Sequence, residues 1–382
     1  MGIIPTAMIR LRLHSLTVAV SLLLVGCTSA VQGWAGPSGA NDALFIATHG
    51  GKVRALDPTM RLQDIPFPGE KEWVFPKGKD QKVGAVYGAV TVEGGALYFG
   101  TYVLNRGATA GKVYAVDATT GAKKWEYPAA EGSYIGAVIG SPRVAGGMVY
   151  VGSSDGRVHA LEAETGVLRW QYTARGKVWV TPEVAEGQVY LGSLDHNVYA
   201  LDAKSGEERW TFSSRRAITS SPVFNVFNDG VVYIGSADGM FYALDAKSGV
   251  VRWSFPGDGW FWSTPLLESG VVYTGSINGK VYALDAASGQ MKWSRPFSAS
   301  GAVISKPVVV GDRLLVASRD GKVYAIDTNT GDAKWPQPFA AGGQVYGPLY
   351  ASGDSVYVAS INRRLYSINV VTGALIWSHD IS

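Results

Sequence analysis

Side chains that carry most enzymatic chemistry are sparse in this 382-residue chain. The histidines, His14, His49, His159, His196 and His379, fall at no metal-ligand spacing. There is no nucleophile elbow, phosphate-binding loop or paired-carboxylate motif. "GSSDG" and "GSADG" look like phosphate loops but read as hairpin turns. Cys27 is the single cysteine, which excludes an internal disulfide, a cysteine-ligated iron–sulfur cluster and a CxxCH haem site. What recurs instead is a column of indoles and carboxylates. Such a column is either a cofactor site copied many times or the device that builds the fold. A ligand site is asymmetric, one pocket with a few polar groups, so an element present in every repeat reads as structural.

The column is Trp125, Trp170, Trp210, Trp253, Trp293, Trp335 and Trp377, at spacings of 45, 40, 43, 40, 42 and 42. Four residues before each lies a glycine: Gly121, Gly166, Gly206, Gly249, Gly289, Gly331 or Gly373. Four residues earlier again lies Asp117, Glu162, Asp202, Asp245, Asp285, Asp327 or Asn369, placed to accept hydrogen bonds from turn amides. A degenerate eighth copy, "GKVRALDP" at 51–58, leads to Trp73 with eight extra residues on the way.

Each copy reads as four short strands, A to D. In residues 263–295 these are "STPLLES", "GVVYTGS", "GKVYALDA" and "QMKWSR". Asn278-Gly279, Asp155-Gly156, Asp238-Gly239 and Asp320-Gly321 mark the B–C turns, because both central residues tolerate positive φ. His196 and Arg363 replace that glycine in two copies, so those turns are expected to differ. A proline marks strand A: Pro142, Pro182, Pro222, Pro265, Pro307 and Pro348, with Pro37 in the first copy and Ala89 in its place in the second. Gly-rich turns and β-branched runs exclude a helical repeat of similar period. The expectation is all-β: an eight-bladed β-propeller of four-stranded antiparallel blades over 33–382. Strand C is apolar on both faces, which suits a sheet packed between two neighbours in a closed ring.

The N-terminus reads separately. Arg10 and Arg12 precede an apolar run of about twelve residues, too short for a spanning helix and right for a signal peptide. "LVGC" at 24–27 resembles the bacterial lipobox, which implies a signal peptide over 1–26, lipidation of Cys27 and a short tether over 27–32. Thr28 follows, not the aspartate that favours inner-membrane retention. The expected location is the bacterial cell envelope, on the periplasmic side of the outer membrane in a two-membrane host and otherwise at the cell surface. Without Arg10 and Arg12, 32 of the 34 basic residues remain against 31 acidic ones, with no basic stripe, so no nucleic-acid partner is expected.

"YALDAASGQMKW" resembles the tryptophan-docking repeat of quinoprotein-like propellers, the PQQ repeat, over roughly residues 33–380. The resemblance implies that each indole packs across the interface with the adjacent blade. That family includes quinone-dependent dehydrogenases. It also includes non-catalytic lipoproteins such as BamB, of the outer-membrane β-barrel assembly machinery. Dehydrogenases of the family typically carry an adjacent-cysteine disulfide and a carboxylate set for calcium. This sequence has neither, so no catalysis, cofactor or metal is expected.

Binding residues are sought where the repeats deviate. "TYVLNRGATAG" at 101–111, containing Tyr102 and Arg106, is seven residues longer than its counterpart in the sixth copy. The D–A connections at 77–88 and 129–140 are also long, and all three belong on one face. Trp34, Trp179, Trp260 and Trp262 fall outside the docking column, at the entry to strand A. With Lys177, Arg215, Arg216 and Tyr346 they are candidates for the channel mouth, since aromatics and arginine favour binding hot spots. The expected partner is an envelope protein, with a β-barrel assembly subunit as the specific candidate that the resemblance implies. The alternatives are a quinone-dependent oxidoreductase and a propeller that binds carbohydrate through its channel aromatics.

Overall fold

The computed structural model describes residues 35–381, apart from 41–42, 49, 59–71, 79–80 and 228–229. Cys27, Trp34, the leader, the tether and the long insertion before Trp73 therefore lie outside the described residues. Eight four-stranded antiparallel sheets follow one another along the chain, each in the order A-B-C-D. The first is Ser38–Ala40, Ala43–Ala47, Val53–Leu56 and Trp73–Phe75, and the last is Tyr350–Ser352, Ser355–Ser360, Arg364–Asn369 and Leu375–Asp380. Strand A of the first blade is thus shorter than the expected 33–40. A ninth sheet is the hairpin Val103–Asn105/Ala108–Ala110, inserted between strands B and C of blade two.

The docking column is built from three coupled devices. The turn carboxylate accepts amide hydrogen bonds, as Asp285 Oδ1 does from Ser288 and Ala287 at 2.9 and 3.2 Å. That turn ends in a left-handed glycine, φ 72° at Gly289, where a side chain would be strained. The glycine presents a bare face to the indole of the preceding blade: a Cβ on Gly289 would lie 2.6 Å from the Trp253 ring. The same overlap, at 2.5–2.7 Å, holds at Gly121, Gly166, Gly206, Gly249, Gly331 and Gly373. Each indole N–H then donates to the carbonyl just after the turn acid. Trp73, Trp125, Trp170, Trp210, Trp253, Trp293 and Trp335 reach Ala118, Ala163, Ala203, Ala246, Ala286, Thr328 and Val370 at 2.8–3.1 Å. Several of these carbonyls accept a second bond, from a strand-B tyrosine: Tyr233 Oη donates to Ala286 at 2.7 Å.

The ring closes by packing between the first and last blades. Trp377, Tyr357 and Leu365 share a buried cluster with Leu44, Ile46 and Leu56. At the axis, Gly36 abuts Pro348 so closely that a Cβ there would lie 2.5 Å from the proline ring. Neighbouring A strands are further tied by side chain–backbone bonds, among them Ser38 to Val90 O, Thr91 to Pro142 O and Ser263 to Ser305 O at 2.6–2.8 Å.

Three local expectations are corrected. His196 and Arg363 adopt φ 79° and 66°, so their turns keep the glycine conformation, because the B–C register demands it. Strand register places Val90 and Leu349, not Ala89 and Pro348, in the slot of Pro142 and Pro265, since Thr91 and Tyr350 pair as Arg143 and Leu266 do. Strand D of blade six is not "QMKWSR"; the chain bends there and pairing resumes at Phe297–Ser298. Blades six and seven carry two extra residues between the indole and the next aromatic, including Pro296 or Pro336 and Pro338, which offer no N–H to the ladder. Trp293 still docks, 2% exposed. Trp293→Ala removes that anchor and should cost about 3–5 kcal/mol by denaturant unfolding; a loss below half of about 1 kcal/mol would contradict the docking role.

Candidate functional site

Strand A and the residues entering it form the innermost wall. The first amide of each B–C turn in blades two to eight donates to a carbonyl of the D–A connection entering that blade, at 2.7–3.0 Å. The acceptors are Ala85, Ala137, Lys177, Ala217, Trp260, Ala302 and Gln344, which fixes equivalent positions around the ring. One residue on, Val86, Val138, Val178, Ile218, Phe261, Val303 and Val345 are buried between blades. Extended backbone alternates, so the next residue in each blade faces the axis. That ring is Tyr87, Ile139, Trp179, Thr219, Trp262, Ile304 and Tyr346. Trp179, Trp262 and Tyr346 thus hold equivalent positions in blades four, six and eight, with Lys177 and Trp260 two residues before Trp179 and Trp262.

Cations stand over the aromatic faces at these positions. Lys177 Nζ lies 5.3 Å from the Trp179 ring centre, and the Arg319 guanidinium lies 5.2 Å from that of Tyr346. The Trp179 indole N–H is buried without a partner among the described residues. Arg215 and Arg216 precede Ala217 and are exposed. Tyr102 reaches the mouth from the inserted hairpin and meets Tyr87 edge-on, with ring centres 5.4 Å apart. Arg106 sits at the hairpin tip with φ 48° and projects into solvent, as does Leu104, 60% exposed.

The three deviating segments converge as their shared face requires. Tyr102 exchanges backbone hydrogen bonds with Ala85 at 2.7 and 2.9 Å, and Gly111 does so with Ile135 at 2.9 and 3.0 Å. The hairpin is thereby clamped between both long D–A connections. Beneath it lies a cavity of about 340 Å³. In its wall Lys112, 7% exposed, pairs with Glu126 at 2.6 Å. Burial pushes the Tyr114 hydroxyl up to about 12, reinforced by Glu126 and Tyr134.

Deeper on the inner wall lies a charged cluster whose members no sequence motif singled out. Arg143 on strand A of blade three pairs with Glu183 on blade four at 2.5 Å. Lys306 faces them from blade seven: burial lowers its pKa, Glu183 opposes that, and Arg143 adds to it. Lys306 remains exposed to solvent. The signal lay in register: at the first residue of strand A and two residues before it, no described blade other than three, four and seven carries a charge. The channel does not fit a calcium–quinone pair. At the level of this cluster its one carboxylate among the described residues, Glu183, is committed to Arg143, and Glu93 and Glu268, two residues further along strand A, are exposed and stand on separate blades.

Ser153, Asp155 and His159 have the residue types of a catalytic triad but not its geometry. Ser153 Oγ donates to Asp155 at 2.5 Å and lies 3.3 Å from His159 Nε2, so the carboxylate does not orient the imidazole. Ser153 is fully buried. His159 occupies the strand-C slot whose tyrosine elsewhere bonds the B–C turn acid, as Tyr199 bonds Asp195 at 2.8 Å.

The profile of a family described as "Beta-alanine-activating enzyme, beta-propeller" matches residues 143–382. No curated protein sequence matches the chain. Among solved structures, BamB from Moraxella catarrhalis is similar at 21% identity and TM-score 0.60, over 76% of this chain and 84% of that one. The computationally designed Ika8 protein is similar at 16% identity and TM-score 0.67, over 92% and 96%. Sqt1 from Saccharomyces cerevisiae is similar at 15% identity and TM-score 0.64, over 75% and 83%. At these identities the likeness is one of fold.

Burial holds the His159 pKa down at about 4, so below its unfolded value near 6.5 the unfolded state binds a proton that the folded state refuses. Stability is thus lost as pH falls from about 6.5 to about 4, by about 3 kcal/mol. His159→Tyr should remove that acid sensitivity, read as the difference between the two proteins in chemical unfolding at neutral and acid pH; parallel curves would refute it.

Proposed function

The chain belongs to this β-propeller family, of PQQ-like type, and on that premise we propose that it is a non-catalytic envelope lipoprotein whose B–C/D–A face binds a protein partner. The observation that carries this reading is the convergence of the inserted hairpin and two long connections beside the aromatic channel mouth. The other six B–C turns among blades three to eight are tight and alike, so the elaboration is confined to one side of the ring. That side offers Leu104 and Arg106 at its tip and Tyr102, Tyr87, Trp179, Trp262 and Tyr346 behind them. Apolar, aromatic and arginine side chains on a rigid frame are the makings of an interface hot spot.

Binding is favoured over catalysis because the acids are already engaged. The repeat carboxylates serve turn amides and arginines, as Asp245 does with Ser248 at 2.9 Å and Arg252 at 2.6 Å. With a lipid on Cys27 the domain would sit close to a membrane, and a BamB-like role in outer-membrane β-barrel assembly is the specific form of the reading. The aromatic channel mouth supports a second reading, a propeller that takes a ligand into its channel.

Cys27→Ser should move the protein out of the membrane fraction; retention there would overturn the anchor. Affinity capture with the Cys27-anchored protein should recover a barrel-assembly subunit, and Leu104→Asp should lower that recovery about tenfold or more. A blank capture, or one indifferent to Leu104→Asp, would count against the scaffold.

A further inference from the structure

We propose that the cavity beneath the inserted hairpin is a site for a neutral saccharide, separate from the central channel. This inference does not rest on the protein-binding reading. In blades four, five and seven the strand-C tyrosine gives its hydroxyl to the aspartate of its own B–C turn: Tyr199 to Asp195, Tyr242 to Asp238 and Tyr324 to Asp320. Blade two replaces that turn with the hairpin, and the aspartate goes with it. Its tyrosine, Tyr114, keeps its place, stacked on Phe99 with ring centres 5.3 Å apart. The Tyr114 hydroxyl makes no hydrogen bond to a described residue and lines the cavity instead. Among the described residues, the insertion has thus left this donor without its turn acceptor, in the lining of a cavity of about 340 Å³.

The remaining lining selects the ligand class. Lys82 and Lys112 are matched by Glu126 and Glu131, so the charges cancel and neither an anion nor a cation gains from the site as a whole. Lys112 is moreover satisfied by Glu126 at 2.6 Å, and Lys123 holds the other oxygen of that carboxylate at 2.9 Å. What remains on offer is a mixture of donors and acceptors. Tyr134 stands at the entrance, 42% exposed, with the Lys112 ammonium 5.8 Å from its ring centre. A polyol with an apolar ring face answers both features: its hydroxyls both donate and accept, and its C–H face lies on tyrosine. The volume falls at the small end of ligand pockets and suits a mono- or disaccharide.

Saturation-transfer NMR on the full chain tests this with neutral hexoses and disaccharides, glucuronate, glucosamine and amino acids at millimolar concentration. Neutral sugars should bind. Tyr114→Phe, which removes the hydroxyl alone, should weaken them about three- to tenfold at unchanged melting temperature. Tyr134→Ala should weaken them as well. No binding by any neutral sugar overturns the proposal. So does stronger binding of the charged sugars or the amino acids, which would make the site ionic. Binding that survives both tyrosine variants but is lost in Trp262→Ala would place the sugar in the central channel and overturn it equally.

Discussion

The architecture depends on a glycine without a side chain lying under an indole from the blade before it. The turn carboxylate holds the glycine left-handed, the bare backbone admits the ring, and the ring's N–H reaches the carbonyl at the start of the same turn. Each part needs the others. A Cβ at Gly289 would drive the Trp253 ring outward and break the bond to Ala286 in one step. The contrast with the B–C glycines is informative. Space for a Cβ there varies, from 3.9 Å at Gly239 to 2.6 Å at Gly279, the near atoms being backbone oxygens, and two blades manage without glycine at that position, as His196 and Arg363 show. Blades two to eight all keep the docking glycine, where a Cβ would meet the indole ring itself as well as a strained backbone conformation.

Much of this was legible in the sequence because it repeats. The tryptophan column, the turn acids and the B–C glycines set the blade count and the packing role of the indole. Proline was a poor ruler for strand A: it marks the slot in most blades, yet Pro348 lies one residue early, and only pairing of Tyr350 with Tyr357 reveals it. Strand D of blades six and seven misled for a similar reason, since the indole is in place while the chain beyond it is longer. The site was half visible. Loop lengths pointed to one face of blades one to three, and the additional tryptophans pointed to the channel mouth. Tyr87, Arg143, Glu183 and Lys306 stayed hidden because nothing in their types distinguishes them until the inward positions of strand A are known.

The elaborated side of the ring differs from the regular repeat turns. Elsewhere carboxylates, hydroxyls and arginines answer one another within a turn or across a strand, as Glu162 answers Thr165 and Arg169. Around the hairpin and the channel mouth, among the described residues, the Trp179 N–H has no partner and Leu104 is exposed. A regular repeat makes such departures informative, because the sister blades show what each residue does when it has no other task.

The interrupted outer strands of blades six and seven bear on how the molecule lives among its neighbours. An outermost strand shows unpaired amides and carbonyls to any extended chain that passes. Here pairing to strand C is split into a short contact at Met291–Lys292 or Ala333–Lys334 and the two-residue strands Phe297–Ser298 and Phe339–Ala340, with Pro296 or Pro336 and Pro338 in the break between them. A stranger seeking to extend either sheet finds a short, broken template with missing donors. The irregularity that weakens two blades locally is thus also a guard against unwanted self-association along the rim.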